Sequence, residues 1–256
     1  MKYILSAKNH SVLKKFASGN VLLAFDFDGT LARIVPDPDN AAIRHSTHRL
    51  LKQLTSLYPC IVVSGRSRAD ARKRLRGINL ERVIGNHGID PQNSSRAVAR
   101  SVEAWLPILK QELGRFHGVV LENKRFSLSI HYRQAGHKQQ VIKTIKAVAQ
   151  TLSGAKLVGG KQVVNIVSEG APHKGLAVER ECSKRRCDGA IYVGDDVTDE
   201  SVFALARNGR ILAIRVGVNR LSLARYYIRN QSEIDRLLEA LIQIRSHHTA
   251  NPDFSK

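Results

Sequence analysis

Short apolar runs alternate with amphipathic segments along most of the chain. Five runs have the continuous apolar character of strands buried on both faces of a parallel sheet. We predict these strands at Val21–Phe25, Cys60–Val63, Arg82–Ile84, Ala190–Val193 and Arg210–Val216. Segments with helical periodicity lie between or beside them, at residues 41–58, 67–76, 175–184, 199–207 and 233–246. Strands that alternate with helices predict an α/β fold with a doubly wound parallel sheet.

The middle third of the chain has a different pattern. A helical pattern at residues 97–116 leads to "VVLENKRFSLSIHYR", which alternates like two strands around a turn. A second helical pattern at residues 138–152 leads to "AKLVGGKQVVNIVS", another hairpin pattern. We therefore predict an inserted α+β domain at residues 91–169. It would divide the core domain into a first part at residues 1–90 and a second part at residues 170–256.

Composition and charge narrow the class of protein. Hydrophobic residues make up 43% of the 256 residues, which is ordinary for a folded protein and argues against disorder. The formal net charge of +19 is compatible with nucleic acid, an acidic membrane surface or small anionic substrates. Signatures of nucleic-acid-binding folds are missing, so we favour a solvated basic surface. No apolar run approaches the length of a membrane span, so we expect no membrane partner.

The N-terminal sequence and the cysteines indicate a location. The chain begins with a short apolar piece that soon turns basic, unlike a signal peptide. Cys60, Cys182 and Cys187 form neither a metal-binding spacing nor a redox pair. We therefore expect a protein of the cytoplasm. The sequence leaves the oligomeric state open, and we favour a monomer.

Polar motifs follow four of the predicted strands. "DFDGT" follows the first strand, "SGR" the second, "GNHG" the third and "GDDVTDE" the fourth. Because the carboxyl ends of parallel strands meet at one edge of an open sheet, we expect these motifs to form one site. That site would contain two acidic groups, a hydroxyl followed by an arginine, and a histidine.

The acidic groups favour a magnesium site and phosphate chemistry. Asp26 and Asp195, with Asp196 or Asp199, offer the hard oxygen ligands that Mg²⁺ prefers. One aspartate can act as a nucleophile that forms an aspartyl-phosphate. A second aspartate, two residues on, can protonate a leaving oxygen and then activate water.

Neighbouring residues complete this predicted site. Ser64 and Lys174 are candidates to hold phosphate oxygens. Lys174 can reach the site because it precedes a helix that leads into the fourth strand. Gly29 permits close backbone approach, and Thr30 is expected to begin a helix.

The motifs resemble those of haloacid-dehalogenase-superfamily phosphatases. "DFDGTL", "SGR", "KG" and "GDDVTDE" occur in that superfamily's order and span the whole core. The resemblance implies that Asp26 is the nucleophile and Asp28 the general acid/base. It also implies that Ser64 and Lys174 bind phosphate, with Thr30 in a supporting role.

The same resemblance implies which residues bind Mg²⁺. The Asp26 carboxylate, the Asp28 backbone carbonyl and the Asp195 carboxylate match the ligands. Asp196 and Asp199 match acidic positions that orient the metal shell. We count Asp196 with the metal-binding residues and Asp199 with the supporting ones.

A narrower resemblance is to trehalose-6-phosphate phosphatases. It rests on "GNHG", "LENKRFSLSIHYR" and the long middle insert, which in that family is a mobile cap. It implies that Glu122 and Lys124 bind sugar hydroxyls, and that Arg66 and His87 line the pocket from the core. The candidate substrate-binding residues are Gly65, Arg66, His87, Glu122, Lys124, Arg133, Asn165 and Glu169.

One cap strand departs from the family pattern. Family members carry a glutamate in a "VVEIKP"-like strand, whereas this chain has "VVNIVSEGAPHKG", with Asn165 at that position and Glu169 as a candidate substitute. An amide offers one acceptor group where a carboxylate offers two, and losing an acceptor for a buried hydroxyl costs about 1–3 kcal/mol. Trehalose 6-phosphate is the expected substrate. The alternative is another glycosyl or pseudo-disaccharide phosphate, and a non-catalytic basic nucleic-acid-binding protein is less favoured.

Overall fold

A computed structural model describes residues 1–89, 96–160 and 162–250. The chain divides into two compact units. The core unit consists of Met1–Gly88 and Lys174–Lys256, and the insert unit consists of Ile89–His173. The core unit contains a parallel sheet and the insert unit an antiparallel sheet, which confirms the predicted α/β class with an α+β insert.

The elements of the described residues are numbered in chain order. The strands are β1 Lys2–Tyr3, β2 Val21–Phe25, β3 Cys60–Val63, β4 Arg82–Ile84, β5 Val120–Asn123, β6 Ser127–His131, β7 Ala155–Gly160, β8 Val163–Ser168, β9 Gly189–Gly194, β10 Ile211–Val216 and β11 Tyr226–Ile228. The α-helices are α1 His10–Ser18, α2 His45–Leu54, α3 Arg68–Arg74, α4 Arg96–Leu113, α5 Lys138–Thr151, α6 Lys174–Lys184, α7 Glu200–Phe203 and α8 Ile234–Ala250. No helix in these described ranges is long and apolar enough to cross a membrane.

The core sheet is parallel and is covered by helices on both faces. Its strand order is β1–β11–β10–β9–β2–β3–β4. Successive residues of β2 alternate between two apolar clusters because successive side chains of a strand point to opposite faces. Val21, Leu23 and Phe25 pack with α1, α2 and α8. Leu22 and Ala24 pack with α6 and α7. This burial on both faces explains why β2 is a continuous apolar run.

Five strands of the core sheet match the sequence prediction, and two short strands do not. β2, β3 and β4 have the predicted bounds, β9 extends one residue further at each end, and β10 begins one residue later. The apolar pattern predicts neither β1 nor β11, because each has only two or three residues. The predicted helix at residues 199–207 is the short α7 between two 3₁₀ turns, a distinction that a short periodic pattern does not make.

The insert unit is a four-stranded sheet with helices on one face. Its strand order is β5–β6–β8–β7, and all its pairs are antiparallel. Leu128 and Ile130 of β6 pack with α4 and α5, whereas Ser127, Ser129 and His131 alternate with them and point to the opposite face. Residues 90–95 and the turn residue at position 161 lie outside the described residues.

Tyr58 joins two helices beneath the core sheet. Its hydroxyl lies 2.9 Å from Ala17 O and 3.0 Å from Leu241 O, and the residue is 3% exposed. The Arg245 guanidinium lies 4.2 Å from the centre of its ring. The single hydroxyl proton is therefore shared between buried carbonyl oxygens of α1 and α8.

We predict that Tyr58→Phe lowers the free energy of unfolding by about 1–3 kcal/mol, because buried carbonyl groups lose their donor. Urea unfolding measures the change. Tyr227→Phe is the matched control, since Tyr227 of β11 is only partly buried. Equal losses for the two variants would contradict the structural role of the Tyr58 hydroxyl.

Candidate active site

The site is built around a buried lysine between two carboxylates. Asp26 directly follows β2, is 4% exposed, and donates its backbone N–H to Val193 O of β9 at 2.9 Å. Lys174 Nζ lies 2.9 Å from Asp26 Oδ1 and 2.7 Å from Asp199 Oδ1. Lys174 is the first residue of α6, so the helix fixes where its ammonium group enters the sheet edge.

Three buried carboxylates converge beside this lysine. Asp26, Asp195 and Asp199 each place a carboxylate oxygen within 4.8 Å of the others. Burial raises the pKa of Asp26 well above its usual value; Lys174 lowers it, and the two other carboxylates raise it. Burial alone would lower the pKa of Lys174, but Asp199 and Asp26 raise it above its usual value. One ammonium does not neutralise three carboxylates, so this all-oxygen donor set fits a cation such as Mg²⁺.

Asp199 is held rigidly by its neighbours. The Tyr192 hydroxyl donates to Asp199 Oδ1 at 2.6 Å, and the Asp196 N–H donates to Asp199 Oδ2 at 2.8 Å. Burial, and then Asp199, raises the pKa of the Tyr192 phenol well above its usual value, so the hydroxyl keeps its proton. A Cβ at Gly194 would overlap the Asp199 carboxylate. Asp199 therefore orients Lys174 through a fixed set of hydrogen bonds.

Arg66 clamps Asp28. Its Nε and Nη2 donate to the two Asp28 oxygens, each at 2.7 Å, and its Nη1 donates to Asp70 Oδ2 at 2.8 Å. The guanidinium also lies 5.4 Å from the centre of the Phe27 ring. Burial opposes the charge of Arg66, but Asp28 and Asp70 raise its pKa above its usual value. The Asp28 side chain remains 38% exposed, in contrast to the buried Asp26.

The "SGR" and "GNHG" motifs are in direct contact. Ser64 is fully buried, and its Oγ accepts from the Arg66 N–H at 3.1 Å. Asn86 and His87 have φ values of 50° and 59°, in the left-handed region. This turn brings the His87 ring against Gly65, where a Cβ would overlap the imidazole.

The turn after β2 corrects one prediction. Thr30 does not begin a helix, because Ala32 N–H donates to Phe27 O and Gly29 N–H donates to Ala32 O, both at 2.8 Å, and fold the chain back. Gly29 has φ 81°, and a Cβ there would overlap the Asp195 carboxylate. Thr30 itself is fully buried. The tight turn, with glycine at position 29, therefore leaves space for the Asp195 carboxylate beside Asp26.

The core-unit motifs meet as the strand-end argument predicts. The structure brings together Asp26, Lys174, Asp195 and Asp199, and beside them Asp28 with Arg66. The Asp196 carboxylate is not one of the three clustered carboxylates, and the residue contributes its backbone N–H to Asp199 instead.

In the insert unit, Glu122 is the centre of a polar group. Glu122 Oε2 lies 2.9 Å from His131 Nε2 and 3.5 Å from Lys124 Nζ. Partial burial opposes ionisation, but His131 and Lys124 lower the pKa of Glu122 below its usual value. Arg133 lies two residues beyond the end of β6 and is partly buried.

Asn165 and Glu169 have different environments. Asn165 is 2% exposed, and its Oδ1 accepts from the Ser129 hydroxyl at 2.6 Å. Its Nδ2 lies 3.4 Å from Val158 O. Glu169 is exposed and follows the end of β8, with its N–H donating to Gly154 O at 2.7 Å. This hydrogen bond thus fixes the Glu169 backbone beyond the end of β8, the strand that contains Asn165.

Two residues of the site were missed by sequence reasoning. Tyr192 carries a hydroxyl within a fully buried strand, and a buried phenol needs a hydrogen-bond partner. Asp70 lies four residues after Arg66, a spacing typical of ion pairs in helices. The buried phenol and the four-residue spacing are both visible in the sequence. Neither shows that Tyr192 contacts Asp199 or that Arg66, paired with Asp70, also contacts Asp28.

Comparison with solved structures identifies the fold. The structure is similar to that of a phosphatase of the HAD superfamily from Bacteroides thetaiotaomicron, with a TM-score of 0.61 and 14% identity over 89% of this chain and 96% of the other. It is also similar to the C-terminal domain of trehalose-6-phosphate phosphatase from C. albicans, with a TM-score of 0.78 and 22% identity over 93% and 97% of the two chains. Both likenesses identify the fold that this chain shares with those two structures.

The sequence comparison identifies the family. The trehalose-phosphatase family model matches residues 24–226. A trehalose-phosphate phosphatase of Mycobacterium avium is 30% identical over 238 residues, which cover 87% of this chain and 58% of the relative. The chain belongs to the trehalose-phosphatase family. It spans between 49% and 68% of the length of other curated relatives that it matches.

We predict that Lys174→Met lowers the free energy of unfolding by about 3–5 kcal/mol in metal-free buffer, because it leaves buried carboxylates without their cation. Lys184→Met is the matched control, since Lys184 is exposed on the same helix. Urea unfolding compares the two. A similar change in both variants would show that Lys174 does not compensate the carboxylates.

Proposed function

We propose that this chain is a phosphatase that hydrolyses trehalose 6-phosphate through an aspartyl-phosphate at Asp26. The observation that carries the proposal is the Asp26 carboxylate at the end of β2, 2.9 Å from the Lys174 ammonium and beside the Asp195 carboxylate. Membership of the trehalose-phosphatase family supports the substrate.

In the first step, an Asp26 carboxylate oxygen attacks phosphorus as the bond from phosphorus to the sugar oxygen breaks. Asp28 donates its proton to that oxygen, so the sugar leaves as an alcohol. In the second step, Asp28 takes a proton from water, and the oxygen of that water attacks phosphorus. Phosphate then leaves, and the Asp26 carboxylate is restored. The exposure of Asp28 supports its part, since it needs access to both the leaving group and water.

Other core residues would hold the phosphoryl group and the charges around it. Lys174 and Ser64 are proposed to bind phosphate oxygens, as the lysine offers charge and the serine a hydroxyl. Gly65, Arg66 and His87 are proposed to line the pocket, where Arg66 also keeps Asp28 in place.

The donor set fits Mg²⁺ as the cofactor. The carboxylates of Asp26 and Asp195, with the Asp28 carbonyl, are proposed to hold it, and Asp196 and Asp199 to support them. When bound, the ion would offset the negative charge that phosphate brings to the buried carboxylates.

We further propose that residues 91–169 act as a cap that recognises the sugar. Glu122, Lys124 and Arg133 offer charged donors and acceptors for sugar hydroxyls. The cytoplasm remains the proposed location, supported by the free thiols of all three cysteines.

A second substrate class is another glycosyl or pseudo-disaccharide phosphate. Asn165 favours it, because its amide oxygen already accepts from Ser129 and does not have the second acceptor of a glutamate. Glu169, exposed beyond β8, is the only acidic residue that we proposed as its substitute.

We predict Mg²⁺-dependent phosphate release from trehalose 6-phosphate, with strong preference over glucose 6-phosphate and sucrose 6-phosphate. Asp26→Asn should lower kcat by about a thousandfold or more, because the nucleophile is lost. Asp188→Asn, which changes an exposed aspartate, should retain activity. Full turnover by Asp26→Asn would disprove the covalent mechanism, and activity without sugar preference would favour the second substrate class.

We predict that Glu122→Gln raises KM for trehalose 6-phosphate about tenfold, because a charged acceptor of sugar hydroxyls is lost. Hydrolysis of para-nitrophenyl phosphate, which has no sugar, should be unchanged. Glu103→Gln, on an exposed position of α4, is the control. Equal effects on both substrates would contradict a role in sugar recognition.

A further inference from the structure

A basic cavity lies in the core unit, away from the Asp26 site. Its volume is about 640 Å³, and its lining includes Lys2, Arg207, Arg220 and Arg225. Lys2 is the first residue of β1, and Arg225 directly precedes β11. The cavity is therefore at the amino ends of β1 and β11, whereas Asp26 and Asp195 follow the carboxyl ends of central strands.

The four cationic side chains of this cavity share no acidic partner. None of them forms an ion pair with a carboxylate among the described residues, and none of the lining residues is acidic. Elsewhere in the same unit, Arg66, Arg185 and Arg215 each pair with a carboxylate. All four residues are exposed, so this concave surface concentrates positive charge and attracts anions.

The lining loop is held in place by hydrogen bonds of its backbone groups. Leu223 N–H donates to Glu200 Oε2 at 2.9 Å, and Ala224 N–H donates to Ser222 Oγ at 3.2 Å. Lys2 N–H donates to Arg225 O at 2.8 Å and ties β1 to the residue before β11. A cavity whose backbone is already ordered loses less conformational entropy when it binds a ligand.

We propose that this cavity binds a small anion that carries two or more phosphate groups. Guanidinium groups bind phosphate oxygens in bidentate fashion, and three arginines with one lysine exceed the charge of a single phosphate. The volume is within the range of small-molecule sites and leaves room for more than one phosphate group. Ser222 adds a neutral hydroxyl to the lining.

Calorimetric titration with inorganic pyrophosphate in metal-free buffer at about 0.15 M salt tests the proposal. We expect Arg207→Gln/Arg225→Gln to weaken binding about tenfold or more, since two charged contacts are lost. The control pair Arg72→Gln/Arg180→Gln removes the same charge from exposed positions outside the cavity and should bind like the unmodified protein. Inorganic phosphate should bind more weakly than pyrophosphate.

Unchanged affinity in the cavity variant would overturn the proposal, because the anion would then bind at the Asp26 site or elsewhere. Equal weakening by the control pair would overturn it too, since only overall charge would matter. Equal affinity for phosphate and pyrophosphate would exclude the multiply charged ligand. Arg220→Gln repeats the test at an exposed loop residue if the double variant does not fold.

Discussion

The buried ammonium of Lys174 is the interaction on which the core site depends. β2 is apolar on both faces and is followed directly by Asp26, and a carboxylate in such a place is costly unless its charge is compensated. Lys174 contacts Asp26 and Asp199 together, so one residue at the start of α6 stabilises groups that follow two different strands. Helix, sheet and site are therefore linked by charge as well as by packing.

The site separates its charges into two environments. The Lys174 group is closed to solvent, so its protonation is set by the neighbouring carboxylates. The Asp28–Arg66 pair is partly open, and the carboxylate is reachable from solvent. In the proposed mechanism, the covalent step takes place at the buried Asp26, and proton exchange takes place at the solvent-accessible Asp28.

Much of this arrangement could be predicted from the sequence, because β2, β3 and β4 are short continuous apolar runs and parallel strands end at one edge. The bond between Tyr192 and Asp199 and the clamp of Arg66 on Asp28 could not, since they depend on side-chain directions across strands. The short strands β1 and β11 were missed because two or three residues carry too little pattern. The functional roles of the site residues stay predictions.

Three glycines give the site a further property. Gly29, Gly65 and Gly194 follow or end different strands, and at each a Cβ would overlap a side chain of the site: Asp195, His87 or Asp199. Tolerance to variation at these positions is therefore governed by volume rather than by polarity. Even alanine, the smallest enlargement, would require a neighbouring group to move. Substitution at these three positions is thus limited by the lack of space for a side chain. This limit is independent of the chemistry of the neighbouring site residues.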